Sequence, residues 1–471
     1  RGWGGIQVFD RLGPPPEKDS AEWGSPERSY NVGLNGRGQT SLAKLGVWGD
    51  VDAMCADVTG RREWVPGKDG STDINTSKKR GFNTKIIPRD LLQSTLLAHI
   101  EEDEELRERI SVTFNTMCTR VELTDDMSKP TLLTFQKTRS IAQNPQPLKA
   151  TATQERPRST VTVEGDKQVV LADFVVGADG FRSEIRDAML EDKSRFREKN
   201  LNVNIYKDDN VRVYKTIPLD IKEDTDLNYS ARGDSDINFD ALPSKQGGYL
   251  GVVIFRPDDK RILDVTTEDE ALRLFKEHLP AIVPLLAESS CRKFAEKPVS
   301  RFPTFLSTGP ALHRGSNMVL LGDAIHTVKP FFGLGVNSAF EDIVVLSKCL
   351  DEGKGDMSRA CSQFSRVRGP EAVALVELSR GWDMKGFRGA MKFVIPIILD
   401  ATFGKIFPFL FRPNTLSWIQ NPDRSFTQVR RRKRWDNTVQ VSMLMTALFT
   451  ALFAVKTLLV FLFQMALRLV A

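Results

Sequence analysis

Between Met318 and Leu350 the chain reads MVLLGDAIHTVKPFFGLGVNSAFEDIVVLSKCL, an apolar run, a glycine-rich turn and a helical pattern in immediate succession. Val319-Leu320-Leu321 is the kind of run that fills a buried strand, and Gly322-Asp323 ends it. A carboxylate at the carboxyl end of a strand sits where open α/β sheets take ligands, and it can accept two hydrogen bonds from a sugar or ribityl diol. Pro330, Gly333 and Gly335 then break regular structure. Asn337 to Leu350 predicts a helix with Ala339, Ile343, Leu346 and Leu350 on one face and Glu341-Asp342 in its first turn. Glycines just before a helix let backbone N–H groups come close to a ligand, and the helix N-terminus carries partial positive charge. Such an end stabilises negative charge on whatever is bound there.

A second unit of the same type lies upstream. Asp173-Phe174-Val175-Val176-Gly177-Ala178-Asp179-Gly180 is a strand ending in an acid and a glycine, and a helix carrying Arg182 and Arg186 follows. At 471 residues the chain exceeds one ordinary core, so two or more structural units are expected. Charged residues make up 27% and the net charge is only +5, which argues against a dedicated nucleic-acid binder. The five cysteines form no C-x-x-C pair, so a reducing compartment and no structural zinc are expected. Near the start, Gly5 to Arg11 reads as the second strand of a Rossmann unit, with Asp10 the acid that holds an adenosine ribose. The G-x-G-x-x-G that precedes such an acid by about 20 residues is not in this sequence. The first strand, phosphate loop and first helix are therefore expected upstream.

The run Gly322-Asp323-Ala324-Ile325-His326, then Pro330 to Asn337 and Phe340-Glu341-Asp342, resembles the second FAD signature of the group A flavoprotein monooxygenases. It is similar to the kynurenine 3-monooxygenase branch of that family, which reads GDAAH then PFFGQGMNAGFED. The resemblance implies FAD, reduced by NADPH or NADH, O2 as co-substrate and a small aromatic substrate. It implies cofactor contacts from Gly322, Asp323, Pro330, Gly333, Gly335, Val336 and Asn337, and from Asp179 and Gly180 near the pyrophosphate and the nicotinamide groove. Arg28 to Gly38 resembles the family's RSINLALSHRGR, with Arg28 at its start and Gly33 on a strand running past the flavin. Arg89, opening a helix expected to reach Glu105, matches an arginine that reaches the cofactor. Arg61-Arg62-Glu63 lies where one family arginine pairs with the substrate carboxylate; the equivalent position is Arg62 or Glu63. Where the family has a pocket Asn, this chain has Trp382 in the neighbourhood; where it has a pocket Tyr, this chain has Phe407. His326 reads as a hydrogen-bonded structural residue rather than a base.

The implied fold class is α/β: a Rossmann-like FAD-binding domain of the hydroxybenzoate hydroxylase type, a mixed β-sheet substrate domain and a C-terminal helical and membrane segment. Residues 1–192 and 300–368 are expected to form the FAD domain, with a surface insertion at 124–163. Residues 193–299 are expected to form the substrate sheet, 369–436 a helical cap and 437–471 a membrane anchor. The tail supports the last of these from its residues alone. Arg430 to Arg434 precede Val441 to Leu467, a mostly apolar stretch interrupted by Lys456 and longer than the roughly 20 residues a bilayer needs. Basic residues before a span place that side in the cytosol, and the resemblance implies the mitochondrial outer membrane. The leading expectation is an FAD-dependent aromatic ring hydroxylase, most like those acting on kynurenine. A related enzyme with a more apolar substrate, or a catalytically silent flavin-binding membrane protein, are the alternatives.

Overall fold

A computed structural model of the protein describes residues 3–17, 20, 23, 30–66, 69–126, 129–140, 161–194, 197–208, 210–222, 225–233, 236–381, 391, 395–411 and 415–470. Strands Val175–Gly177 and Met318–Leu320 run side by side and parallel, in register from Val175 with Met318 to Gly177 with Leu320. The Leu321 N–H continues the ladder to the Gly177 carbonyl at 3.0 Å. Met318, Val319 and Leu320 are wholly buried, as a strand covered on both faces must be, each contributing about 1.5–3 kcal/mol of transfer free energy. Ile6–Phe9 pairs in parallel with Ile110–Thr113. Phe9 stacks on Phe135 at 4.0 Å, and the Trp3 ring stands 5.8 Å from that of Phe174. The approaches to strands Ile6–Phe9 and Val175–Gly177 therefore lie next to each other.

The segment expected as a surface insertion is partly sheet. Thr131–Ser140 pairs antiparallel with both Thr116–Glu122 and Val161–Ala172, and it buries Leu133 and Phe135 in the core. Residues 141–160 lie outside the described residues. The helix expected to run on to Glu105 ends at Glu102, and a second helix, Glu104–Arg109, starts from an Asp103 cap.

The larger sheet has seven strands, in the order Ser300–Arg301, Val213–Leu219, Tyr249–Phe255, Asn238–Pro243, Leu227–Arg232, Gly60–Trp64 and Thr72–Asn75. The last two come from residues 60–75, which were expected in the FAD domain and instead join the sheet expected for the substrate domain. One face is fully buried: Val213, Ile217, Tyr229, Phe239 and Val253 pack with Phe275 of helix Glu268–His278 and Phe294 of helix Ser290–Glu296. The other face is half-buried; at its margin the Asn31 side chain, from strand Asn31–Leu34, donates to the Leu242 and Pro243 carbonyls at 3.0 Å each. Helices Gly335–Gly353 and Met357–Arg380 pack together beneath the strand ends. The terminal helix Phe426–Val470 is 45 residues long. Its most apolar window has mean hydropathy 2.1 with none of it buried, so it is long and apolar enough to cross a membrane.

Candidate functional site: a flavin crevice at two parallel strand ends

Because Val175–Gly177 and Met318–Leu320 are adjacent and parallel, Asp179 and Asp323 emerge from the same edge of the sheet. Asp179 accepts a hydrogen bond from the Ile185 N–H at 3.2 Å, and Gly180 follows with φ +81°. Gly322 turns at φ +59°, which lets the chain bend at once into Asp323. The Asp323 carboxylate is reachable by solvent yet sits low in a crevice. Burial raises its pKa, opposed by His326 and Arg89 and reinforced by Asp342.

The turn beneath Asp323 is fixed from below. Asp342 is fully buried and accepts hydrogen bonds from the Gly322 N–H, His326 Nε2 and Arg368 Nε, each at 2.8 Å. Burial alone would raise its pKa, but His326 and Arg368 hold it below the ordinary carboxylate range. Arg368 also pairs with Glu341 at 3.0 Å, and Glu341 with the buried Arg37 at 2.9 Å. This network explains a departure from the expected helix face. Ile343 is exposed, whereas Asn337, Ser338 and Asp342 are among the buried residues of helix Gly335–Gly353. His326 is a structural hydrogen-bonding residue, as expected.

Asn337 joins the two halves of the cofactor loop. Its Nδ2 donates to the Gly33 carbonyl at 2.8 Å and to that of Gly333, while its Oδ1 accepts from the Asn35 N–H at 3.1 Å. Gly333 lies at φ +57°, and a Cβ there would come 3.1 Å from the Gly33 carbonyl. A Cβ on Gly335 would stand 3.9 Å from Asp323 Oδ1. A side chain at Gly333 would crowd the Gly33 backbone, and one at Gly335 would begin in contact with the Asp323 carboxylate. Helix Gly335–Gly353 has no side-chain cap at its start, so the first-turn N–H groups, including those of Gly335 and Val336, stay available to a ligand. Pro330 opens the single turn Pro330–Phe332 that leads into it.

Arg89 begins helix Arg89–Glu102, with its guanidinium 5.7 Å from the Tyr30 ring and its charge felt at Asp323. Asp10 closes its strand by accepting from the Leu12 N–H at 2.8 Å and from Gln93 at 3.3 Å. Across the crevice, Tyr214 stacks on Phe302 at 4.7 Å, and Phe302 meets Phe331 at 5.7 Å. Burial, then the neighbouring Tyr30, push the Tyr214 hydroxyl up. Sequence reasoning missed this wall of Tyr30, Tyr214, Phe302 and Phe331, because single aromatics on a strand look like core.

Two expected substrate contacts are placed elsewhere. Arg62 stands in one cross-strand row with Tyr229, Ala241 and Ile217 on the helix-covered face. There Asp73 holds it in a two-point pair at 2.7 and 2.8 Å. Side chains alternate along a strand, so Arg61 and Glu63 occupy the half-buried face with Ser230 and Asp240 instead. They are 3.3 Å apart. Phe407 contacts Phe403 and Phe409 at the foot of the terminal helix and is not brought together with the crevice residues. Arg28 and Trp382 lie outside the described residues.

Comparison with known proteins matches this arrangement. The model of a family described as "FAD binding domain" matches residues 32–354. The chain belongs to this family. Kynurenine 3-monooxygenase of Salinispora arenicola is 25% identical over 388 residues, covering 79% of this chain and 73% of that protein. The Yarrowia lipolytica enzyme of the same name is 28% identical over 272 residues, 55% of this chain and 56% of its own length, so the chain matches just over half of it. Among solved structures, 2-methyl-3-hydroxypyridine-5-carboxylic acid oxygenase shares the fold with a TM-score of 0.53 at 20% identity, over 81% of this chain and 85% of that one. The chain is a flavin-dependent monooxygenase, an oxidoreductase similar to the kynurenine 3-monooxygenases. The residues present fit FAD: a solvent-exposed carboxylate at a strand end, a glycine turn beside it with Gly335 next to the carboxylate, and an uncapped helix start.

Proposed function

We propose that the protein hydroxylates an aromatic α-amino acid, L-kynurenine being the lead substrate, with O2 and with NADPH or NADH as reductant. The observation that carries this reading is the Arg61–Glu63 pair on the crevice-facing side of the sheet. Adjacent opposite charges match a zwitterion: the guanidinium takes the carboxylate and the carboxylate takes the ammonium. Bound FAD supplies the oxygen-activating chemistry. The chain's own residues do the positioning. Tyr30, Tyr214, Phe302 and Phe331 keep the aromatic ring in a water-poor space, and the uncapped helix start at Gly335 favours the anionic reduced cofactor. The terminal helix would anchor the protein in a membrane, with Arg430 to Arg434 on the cytosolic side; similarity to the fungal relative favours the mitochondrial outer membrane.

The test is NADPH and NADH oxidation, peroxide release and product analysis on the flavin-loaded protein, with L-kynurenine and with apolar aromatics. A hydroxylated amino acid supports the proposal. Turnover of apolar rings alone favours the second reading, a more hydrophobic substrate, which the aromatic wall supports. Bound flavin with no substrate-stimulated oxidation would favour a silent flavin-binding protein. Arg61→Ala is expected to raise the kynurenine KM by about 10- to 100-fold, the loss of one charge-assisted contact of about 1.5–3 kcal/mol. Arg62→Ala is expected to leave KM nearly unchanged. The reverse pattern would return the carboxylate contact to Arg62.

A further inference from the structure

Helix Ile395–Ile406 turns a charged residue inward, beside the buried Phe403 and Gly404, and several isoleucines outward. Asp400, on its inward side and only 8% exposed, accepts hydrogen bonds from Lys433 Nζ and, at 3.1 Å, from Gln440 Nε2. Asp436, also buried, pairs with Arg432 at 2.9 Å and lies 3.7 Å from Lys433. The outward side carries Ile395, Ile398 and Ile406 together with Thr402 and Lys405, and Phe409 follows in the next turn. Ile398 is 56% exposed, Ile406 60% and Phe409 84%. A surface helix in water does the reverse, turning apolar residues in and charges out. Single exposed apolar side chains are ordinary, whereas a contiguous apolar face marks an interaction site.

Its position identifies the occupant. The polar clamp grips residues 432–440 of the terminal helix, immediately before the exposed apolar stretch that begins at Val441. The isoleucine face is thus tied to the level at which the anchor would enter hydrocarbon. Twelve residues make a helix about 18 Å long, too short for a hydrocarbon core of about 30 Å, so this helix would lie in the plane of the interface. Beside it lies a cavity of about 360 Å³, lined by Phe409, Trp418, Arg424, Gln428 and Arg432 among others. Arg424 is stacked 4.3 Å over Trp418. Apolar side chains next to cations and aromatic rings match the acyl and phosphate layers of a lipid surface.

We propose that helix Ile395–Ile406 and the turn through Phe409 form a second membrane contact, embedded in the interfacial layer beside the anchor, with Arg424 and Arg432 facing lipid phosphate. The proposal rests on the terminal helix being a membrane anchor. The test uses the full chain in phosphatidylcholine and phosphatidylserine vesicles, with an environment-sensitive fluorophore attached through Phe409→Cys or, separately, Leu452→Cys. Cys55, Cys291, Cys349 and Cys361 are buried, and the labelled parent chain supplies the blank. The expected result is loss of iodide quenching at 409 with quenching by nitroxide placed near the lipid headgroup, while 452 responds to nitroxide deep in the acyl chain. Deep quenching at 452 with full iodide access at 409 would overturn the proposal and leave the anchor standing. Iodide access at both positions would remove the anchor reading and this proposal with it.

Discussion

Asp342→Ala is expected to destabilise the protein by about 3–5 kcal/mol, the cost of leaving a buried charge without its partner. Arg368 is 3% exposed on its side chain and would keep only Glu341 as an ion-pair partner. His326 and the Gly322 N–H would lose their acceptor in the same substitution. The damage reaches the site, because Gly322 carries the turn into Asp323. Asp342→Asn, which preserves the shape, is expected to lose less while still leaving Arg368 undercompensated. The pH dependence has a defined sign. The folded carboxyl is held below its unfolded value, so its contribution is complete above the unfolded carboxylate pKa. That contribution disappears as pH falls through the folded value. Denaturant unfolding of parent and variants, at neutral pH and on acidification, checks both statements; a loss under about 1 kcal/mol for Asp342→Ala would contradict them.

Lys215→Met is expected to stabilise the protein. Lys215 is buried in the seven-stranded sheet, with Nζ 3.4 Å from the Ala295 carbonyl and 4.7 Å from the Phe294 ring. Burial pushes its pKa down from 10.5 to about 8. Below pH 8 the amine is charged in both states and the full penalty applies. Between about 8 and 10.5 the unfolded chain holds the proton more tightly, so stability rises with pH across that window. The whole shift corresponds to about 3 kcal/mol, and partial solvent screening near the amine reduces the expected gain at pH 7 to about 1–3 kcal/mol. Methionine fills a similar volume without the charge. Thermal unfolding across pH 7 to 10 should show the parent approaching the variant as pH rises. A constant gap would contradict the assignment to Lys215 ionisation.

The parts of the site legible in sequence were those with local causes. Gly322-Asp323 and Asp179-Gly180 announced themselves because an apolar run, an acid, a glycine and a helix follow one another along the chain. What sequence could not show was non-local. Nothing near Gly60–Trp64 indicates that its partner is Leu227–Arg232, and a one-residue choice of register decides whether Arg61 or Arg62 faces the crevice. Periodicity misjudged helix Gly335–Gly353 for a different reason. Its buried side holds the Asp342–Arg368–His326 network, so the polar residues point inward and Ile343 points out. Helix Ile395–Ile406 likewise turns a charge, Asp400, inward beside Phe403.

The central claim is that the two acidic strand ends hold one flavin dinucleotide, with Asp323 as its principal side-chain acceptor. Titration of FAD onto the flavin-free parent, Asp323→Ala and Asp179→Ala chains, followed by flavin fluorescence, tests it most directly. Asp323→Ala is expected to weaken binding at least about tenfold, as loss of a charge-assisted contact requires, while the melting temperature of the flavin-free chain stays put. FAD affinity equal to the parent's in a folded Asp323→Ala chain would contradict it.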